Sequence, residues 1–134
     1  TIGMIDSRRP RMVAVQADGC APIVRAFDAG DERAEPWEDA TTIANGLRVP
    51  RAFADREILQ VLRASKGTAV MVEDDAMLEM LRRLAAVEGI YAAPEAAATL
   101  VAVQRLVENG TICHDERVVT FLTGNAYKYL SSLA

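Results

Sequence analysis

Three short runs in this 134-residue chain lack a consistently polar face: MVAVQ at 12–16, TAVMV at 68–72 and VVTFL at 118–122. A strand with one wet side alternates apolar and polar residues, whereas a strand covered on both faces reads as a continuous apolar run. Between the runs, apolar residues recur at helical spacing. Strands separated by helices make crossovers in a parallel sheet with helices on its faces. The expected fold class is therefore α/β, a three-layer parallel sheet with helices on both faces. Three such strands are too few to cover those helices. The sheet is expected to be incomplete here, and the chain a piece of a longer protein.

The helices carry their own punctuation. Pro22 suits the first turn of one that turns Ile23, Ala26 and Phe27 inward and ends at Gly30. Asp55 is expected to cap a second, with Ile58, Leu59 and Leu62 inside and a stop at Ser65, Lys66 and Gly67. Asp74 or Asp75 caps a third, closed by Gly89, in which Met77, Met80, Leu81 and Leu84 read as core rather than as a cofactor contact. Pro94 opens a fourth, with Glu95 favourable to the helix dipole, a slim stretch at Ala96, Ala97 and Ala98, and an end at Asn109 and Gly110. Residues 31–50 read as loop.

Composition narrows the function. A net charge of −4 leaves no basic stripe, so neither nucleic acid nor an anionic membrane surface is an expected partner. No apolar run approaches the length of a membrane span, and no signal peptide is expected. Cys20 and Cys113 lie outside any C-x-x-C spacing and read as reduced thiols in a cytoplasmic protein. Cys20 falls near a helix start, where a thiol can become nucleophilic, but no histidine is near in sequence and a packed thiol is expected. Cys113 and His114 are adjacent without a second ligand pair, so no metal site is expected. Neither a G-x-G-x-x-G nor a P-loop occurs. Thr1 could act as a nucleophile with its own amine as base, yet nothing like a first strand leads out of it.

Two stretches carry candidate chemistry. Thr123 and Gly124 follow the third apolar run, and ligands of open parallel sheets gather beyond the carboxyl ends of strands. Thr123 would then present a neutral hydroxyl at the sheet rim; an ordinary hydroxyl turn reads the same way. Around Gly46, the small residues Thr41, Thr42, Ala44 and Asn45 gather. Glycine admits a planar ligand or a second backbone at close range, and a tight turn needs the same residue.

Four blocks carry a resemblance. PRMVAVQADGCAPIVRAF, AEPWEDATTIANGLRVP, GTAVMVEDDAMLEMLRRLAAVEGIYAAPEAAATLVAVQRLVENG and VVTFLTGNAYKYL resemble, in order, the carboxyl-terminal part of the threonine synthase family. These are pyridoxal-phosphate enzymes of the tryptophan-synthase-β-like fold, fold type II, and the likeness runs from about 10 to 130. The last block also resembles the serine-containing loop of cysteine-synthase relatives.

The resemblance implies that 1–134 is the carboxyl-terminal part of a larger catalytic domain. The implied reaction takes O-phosphohomoserine and water to threonine and phosphate, with pyridoxal phosphate as electron sink. It sets Thr123 where the family places a hydroxyl against the pyridine nitrogen, which a neutral hydroxyl does not hold protonated. Gly46 matches the segment against the ring face, with Ala44 and Asn45 beside it, and Gly124 shapes the loop. Asn125 and Ala126 depart from the glycine-rich run expected after Thr-Gly, which leaves the substrate less fixed than the cofactor.

The family's Schiff-base lysine, substrate loop and phosphate cradle belong to an amino-terminal portion absent from this chain. Of its two lysines, Lys66 reads as a solvated charge and Lys128, after the Thr-Gly turn, is expected to face water or phosphate rather than an aldimine, so no catalytic residue is assigned and the isolated chain is expected to be inactive. The implied partners are that portion, an O-phosphohomoserine-type substrate and a second copy in a homo-oligomer. Two other classes share the pattern: a cysteate-synthase-like enzyme acting on an amino-acid β-carbon, and a non-catalytic α/β interaction or ligand-sensing module.

Overall fold

The computed structural model describes residues 9–129, so the reading of Thr1 lies outside the described residues. Strand β1, Val13–Ala17, pairs in parallel with β2, Thr68–Val72, in a register that sets Val13 beside Thr68 and Ala17 beside Val72. Between them the chain runs through helix α1, Pro22–Ala29, a long loop and helix α2, Asp55–Ala64. After β2 come α3, Asp74–Glu88, and α4, Pro94–Glu108. Two short 3-10 turns, Asn45–Leu47 and Ala126–Tyr129, complete the described elements.

The pleat explains why neither strand has a polar face. Val15, Ala17, Val70 and Val72 point to one side, against Met77 and Leu81 of α3 and Ala97, Ala98 and Val101 of α4. Ala14 and Ala69 point to the other, against Ile23 and Ala26 of α1 and Leu59 and Leu62 of α2. Helices lie on both sides of the pleat, as for a strand between two helical layers, although Val13 and Met71 stay exposed. The layers are thus helices, parallel sheet, helices. The alanine run of α4 keeps that helix thin where it crosses the strands: Ala96, Ala97 and Ala98 are fully buried.

Helix ends follow local chemistry, with two differences from the sequence reading. Gly30 and Gly89 close α1 and α3 in the left-handed conformation, at φ 80 and 69°. Pro22 and Pro94 stand in the first turns of α1 and α4. The amide oxygen of Gln16, on β1, accepts the open N–H groups of Ile23 and Val24 at 2.8 and 3.2 Å, so the strand's one polar side chain caps the next helix. Asp55 and Asp74, however, do not cap; each is the first helical residue. Their carboxylates reach across the fold instead, Asp55 to the Ala34 N–H at 2.9 Å and Asp74 to the 42–43 backbone and side chain. Long-range donors outcompeted the local amides.

The third expected strand is absent. Residues 118–122 form no ladder, and Val119 and Phe121 are 80% and 75% exposed. A β-branched and aromatic run favours extended backbone, but a strand exists only by pairing, and β1 and β2 pair only with each other among the described residues.

Candidate functional site

Residues 41–47 are laid across the carboxyl end of β1. The Thr41 N–H donates to the Gly19 carbonyl at 3.1 Å, and a Cβ at Gly19 would fall 2.1 Å from the Thr41 carbonyl oxygen. Only glycine allows that approach. Asp74, in the first turn of α3, then fixes the next two residues: it accepts the Thr42 hydroxyl at 2.5 Å and the Ile43 N–H at 2.9 Å. A carboxylate there also faces the positive end of its own helix. Thr42 passes the order on, accepting the Ala44 N–H at 3.1 Å. Ala44 is fully buried, and the turn Asn45–Leu47 brings the Gly46 backbone to the surface.

The second stretch is held from α4. Ala93, just before that helix, donates its N–H to the Gly124 carbonyl at 3.0 Å, and the Ala126 N–H donates to the Tyr91 carbonyl at 3.0 Å. Ala92 and Asn125 thereby form an antiparallel bridge. The rings of Tyr91 and Tyr127 meet edge to face at 5.7 Å. Ala126 is fully buried in the same cluster as Ala44, Ala17 and Val72. Since Ala17 and Val72 end the two strands, both stretches lie at the carboxyl edge of the sheet.

Their junction is Glu95. Its Oε1 accepts the Gly46 N–H at 2.8 Å and also the Tyr129 hydroxyl. The Tyr129 phenol is pushed up to about 12 by burial first and the Glu95 carboxylate second, while the Gly46 amide pulls the other way. It therefore stays protonated and donates through the neutral range.

The structure brings some of the residues singled out in the sequence to one place. Ala44, Asn45 and Gly46 are brought to the amino end of α4, where Gly124 is also pinned. Thr123 adjoins it with its side chain exposed and makes no hydrogen bond to another described residue. It does not end a sheet strand, because that strand is absent; its place at the carboxyl edge comes from the pairing of its neighbour Gly124 with Ala93. Glu95, Tyr129 and Asp74 were not expected at the site, and Thr42 was read only as one of the small residues around Gly46. Glu95 had a visible signal, a carboxylate directly after a helix-opening proline and before three alanines, but that signal speaks equally of the helix dipole.

These residues fit part of a pyridoxal-phosphate site. Thr123 offers an unengaged neutral hydroxyl suited to a pyridine nitrogen, and Gly46 offers exposed backbone without a side chain. Of the two lysines, one lies at the opposite end of the sheet and the other on the neighbouring Ala126–Tyr129 turn. Lys66, at φ 54°, sits before the amino end of β2, the far end of the sheet, and Lys128 is exposed on the last turn. Among the described residues no cluster of histidine, cysteine and carboxylate suits a metal ion. Cys20 is buried, as a packed thiol should be.

The sequence profile of a family described as "Pyridoxal-phosphate dependent enzyme" matches residues 3–124. The threonine synthase of Methanosarcina acetivorans is 36% identical over 127 residues, covering 95% of this chain and 31% of that protein. That of Methanocaldococcus jannaschii is 35% identical over 126 residues, with 94% and 31% covered. The chain thus spans about a third of the length of these relatives. In three dimensions it is similar to a T.th. threonine deaminase, with a TM-score of 0.57 at 23% identity over 74% of this chain and 34% of that one. Maize serine racemase gives 0.53 at 20% identity, over 66% and 26%. At such identities the structural likeness speaks for the fold.

Proposed function

The chain belongs to the family of pyridoxal-phosphate dependent enzymes, and from that premise we propose that it is the carboxyl-terminal portion of a threonine synthase. The reaction is the replacement that takes O-phosphohomoserine and water to threonine and phosphate. One observation carries the reading beyond family membership: the two stretches that resemble the enzyme's ring-facing segments, at 44–46 and 123–124, are joined through the first turn of α4 at the carboxyl edge of the sheet.

When bound, pyridoxal phosphate supplies an electron sink for bond changes at the substrate's amino-acid carbons. The chain's own residues do quieter work. Thr123 would hold the pyridine nitrogen through a hydroxyl that donates a hydrogen bond and brings no formal charge. Gly46, with Ala44 and Asn45 beside it, would support the ring with backbone, in a segment held by Asp74 from one side and Glu95 from the other. Gly124, tied to Ala93, holds the loop that presents Thr123. The catalytic lysine, the substrate loop and the phosphate cradle come from a preceding portion of the protein. The open edges of the two-stranded sheet and the exposed run at 118–122 support such a complement.

The test uses the complete protein and the isolated 134 residues side by side, each given O-phosphohomoserine and pyridoxal phosphate. The expected result is equal release of phosphate and threonine by the complete protein and none by the isolated chain. Turnover of an O-phosphoserine-type substrate in its place would contradict the reaction, and threonine from the isolated chain would contradict the division of labour.

A further inference from the structure

Both site stretches converge on one carboxylate from opposite directions in the chain. Gly46 lies 49 residues before Glu95 and Tyr129 lies 34 after it, yet both donate to the same Oε1. The fit is close: a Cβ at Gly46 would sit 2.8 Å from that oxygen and 3.2 Å from Cγ. Glu95 itself stands between the buried Pro94 and Ala96, two residues after the Ala93 that bonds Gly124. The arrangement leaves the Gly46 amide committed inward while the outer side of that peptide stays open.

We propose that Glu95 is a positioning residue, whose carboxylate clasps the Asn45–Leu47 and Ala126–Tyr129 turns to the start of α4 and so fixes the Gly46 backbone at the height where a planar ring rests on it. This rests on the function proposed above, since it assumes the ring. Two consequences separate the clasp from generic packing. An uncharged oxygen in the same place serves, because accepting two hydrogen bonds needs two lone pairs and no charge. Loss of the phenol frees only one of the two turns.

The experiment compares E95A, E95Q and Y129F in the complete protein, with two readouts. The first is hydrogen exchange of the Gly46 amide in cofactor-free protein. The second is pyridoxal-phosphate affinity together with the absorption spectrum of the bound cofactor. E95A is expected to release the Gly46 amide to fast exchange, alter the spectrum and weaken cofactor binding about tenfold or more, the scale of a hydrogen bond to a charged group. E95Q keeps Gly46 protected, with affinity within about threefold of wild type, a small part of one hydrogen bond. Y129F leaves Gly46 protected and shifts the spectrum less than E95A does. Wild-type exchange and affinity in E95A overturn the proposal, as does E95Q failing as badly as E95A. Where E95A does not fold, E95Q and Y129F decide: an unprotected Gly46 amide in E95Q overturns the clasp, and a protected one supports it. A wild-type protein that binds no pyridoxal phosphate overturns the proposed function alone, and the exchange readout still decides the clasp.

Discussion

At the scale of residues, the proposed site rests on carboxylate-held backbone and one neutral hydroxyl. Thr123→Ala in the complete protein should weaken cofactor binding by about 0.5–1.5 kcal/mol, the net value of one neutral hydrogen bond. Thr123→Ser keeps the oxygen and should keep most activity, whereas Thr123→Asp should favour a protonated ring and change the balance of products. Cofactor titration and turnover of the three variants, with Thr120→Ala as control, check this; wild-type behaviour in Thr123→Ala would make the hydroxyl an ordinary turn residue. A second prediction concerns Tyr129. Its phenol, raised to about 12 when folded, binds its proton more tightly folded than unfolded. Its contribution to stability is full below the ordinary tyrosine range near 10 and is lost as pH rises from there through about 12. Denaturant melts of wild type and Y129F between about pH 9 and 12 should therefore converge as the pH rises, given a reference tyrosine near 10. Thr123 and Gly46 could be singled out in the sequence because a hydroxyl after an apolar run and a glycine among small residues stand out locally. The Glu95 junction was not, since its partners are 49 and 34 residues away and nothing local marks them.

At the scale of elements, α4 governs the site because it is thin. Ala97 and Ala98 are fully buried against the strands and the 44 and 126 positions. Ala97→Leu should cost about 1–3 kcal/mol by overpacking and should disturb both site stretches, where Leu59→Ala on the far face should cost about 2–5 kcal/mol and leave them intact. Urea melts of both variants, with the exchange of amides at 44–46, separate the two effects. Ionic contacts predict a direction in acid. Arg105 holds the Glu73 carboxyl below its ordinary range, and the Cys113 amide and then Arg11 do the same for Glu116. Both carboxyls bind protons more weakly folded than unfolded, so their contribution is present above the ordinary carboxylate range and lost as pH falls through their lowered values. Glu73→Gln should flatten the acid limb of the stability profile slightly, because these pairs are exposed. Two strands and four helices were readable from periodicity, proline and glycine. The run at 118–122 was misread because apolar, β-branched composition marks a wish to pair and says nothing of whether a neighbour is present. Asp55 and Asp74 looked like caps for a similar reason: their real partners, Ala34 and the Thr42–Ile43 pair, come from loops whose path the sequence does not encode locally.

At the scale of the molecule, the described fold is dry in its middle and open at its margins. Val119 and Phe121 stand in solvent, and Met12 and Met71 are also exposed near the open sheet. Large apolar side chains exposed beside an unpaired sheet edge are a surface that a partner would cover. The isolated chain should accordingly self-associate or melt at low temperature, and co-expression with the preceding portion of the protein should raise the melt; a monomer with a high, cooperative transition would oppose the need for a complement. The central claim is that this chain brings the ring-side residues of a pyridoxal-phosphate site while the lysine comes from elsewhere. It is tested most directly by trapping the cofactor with borohydride and locating the modified lysine by mass spectrometry, in the complete protein and in the 134-residue chain alone. The account predicts a stoichiometric adduct in the complete protein on a lysine outside these residues, and none in the isolated chain. A stoichiometric adduct on Lys66 or Lys128 would contradict it.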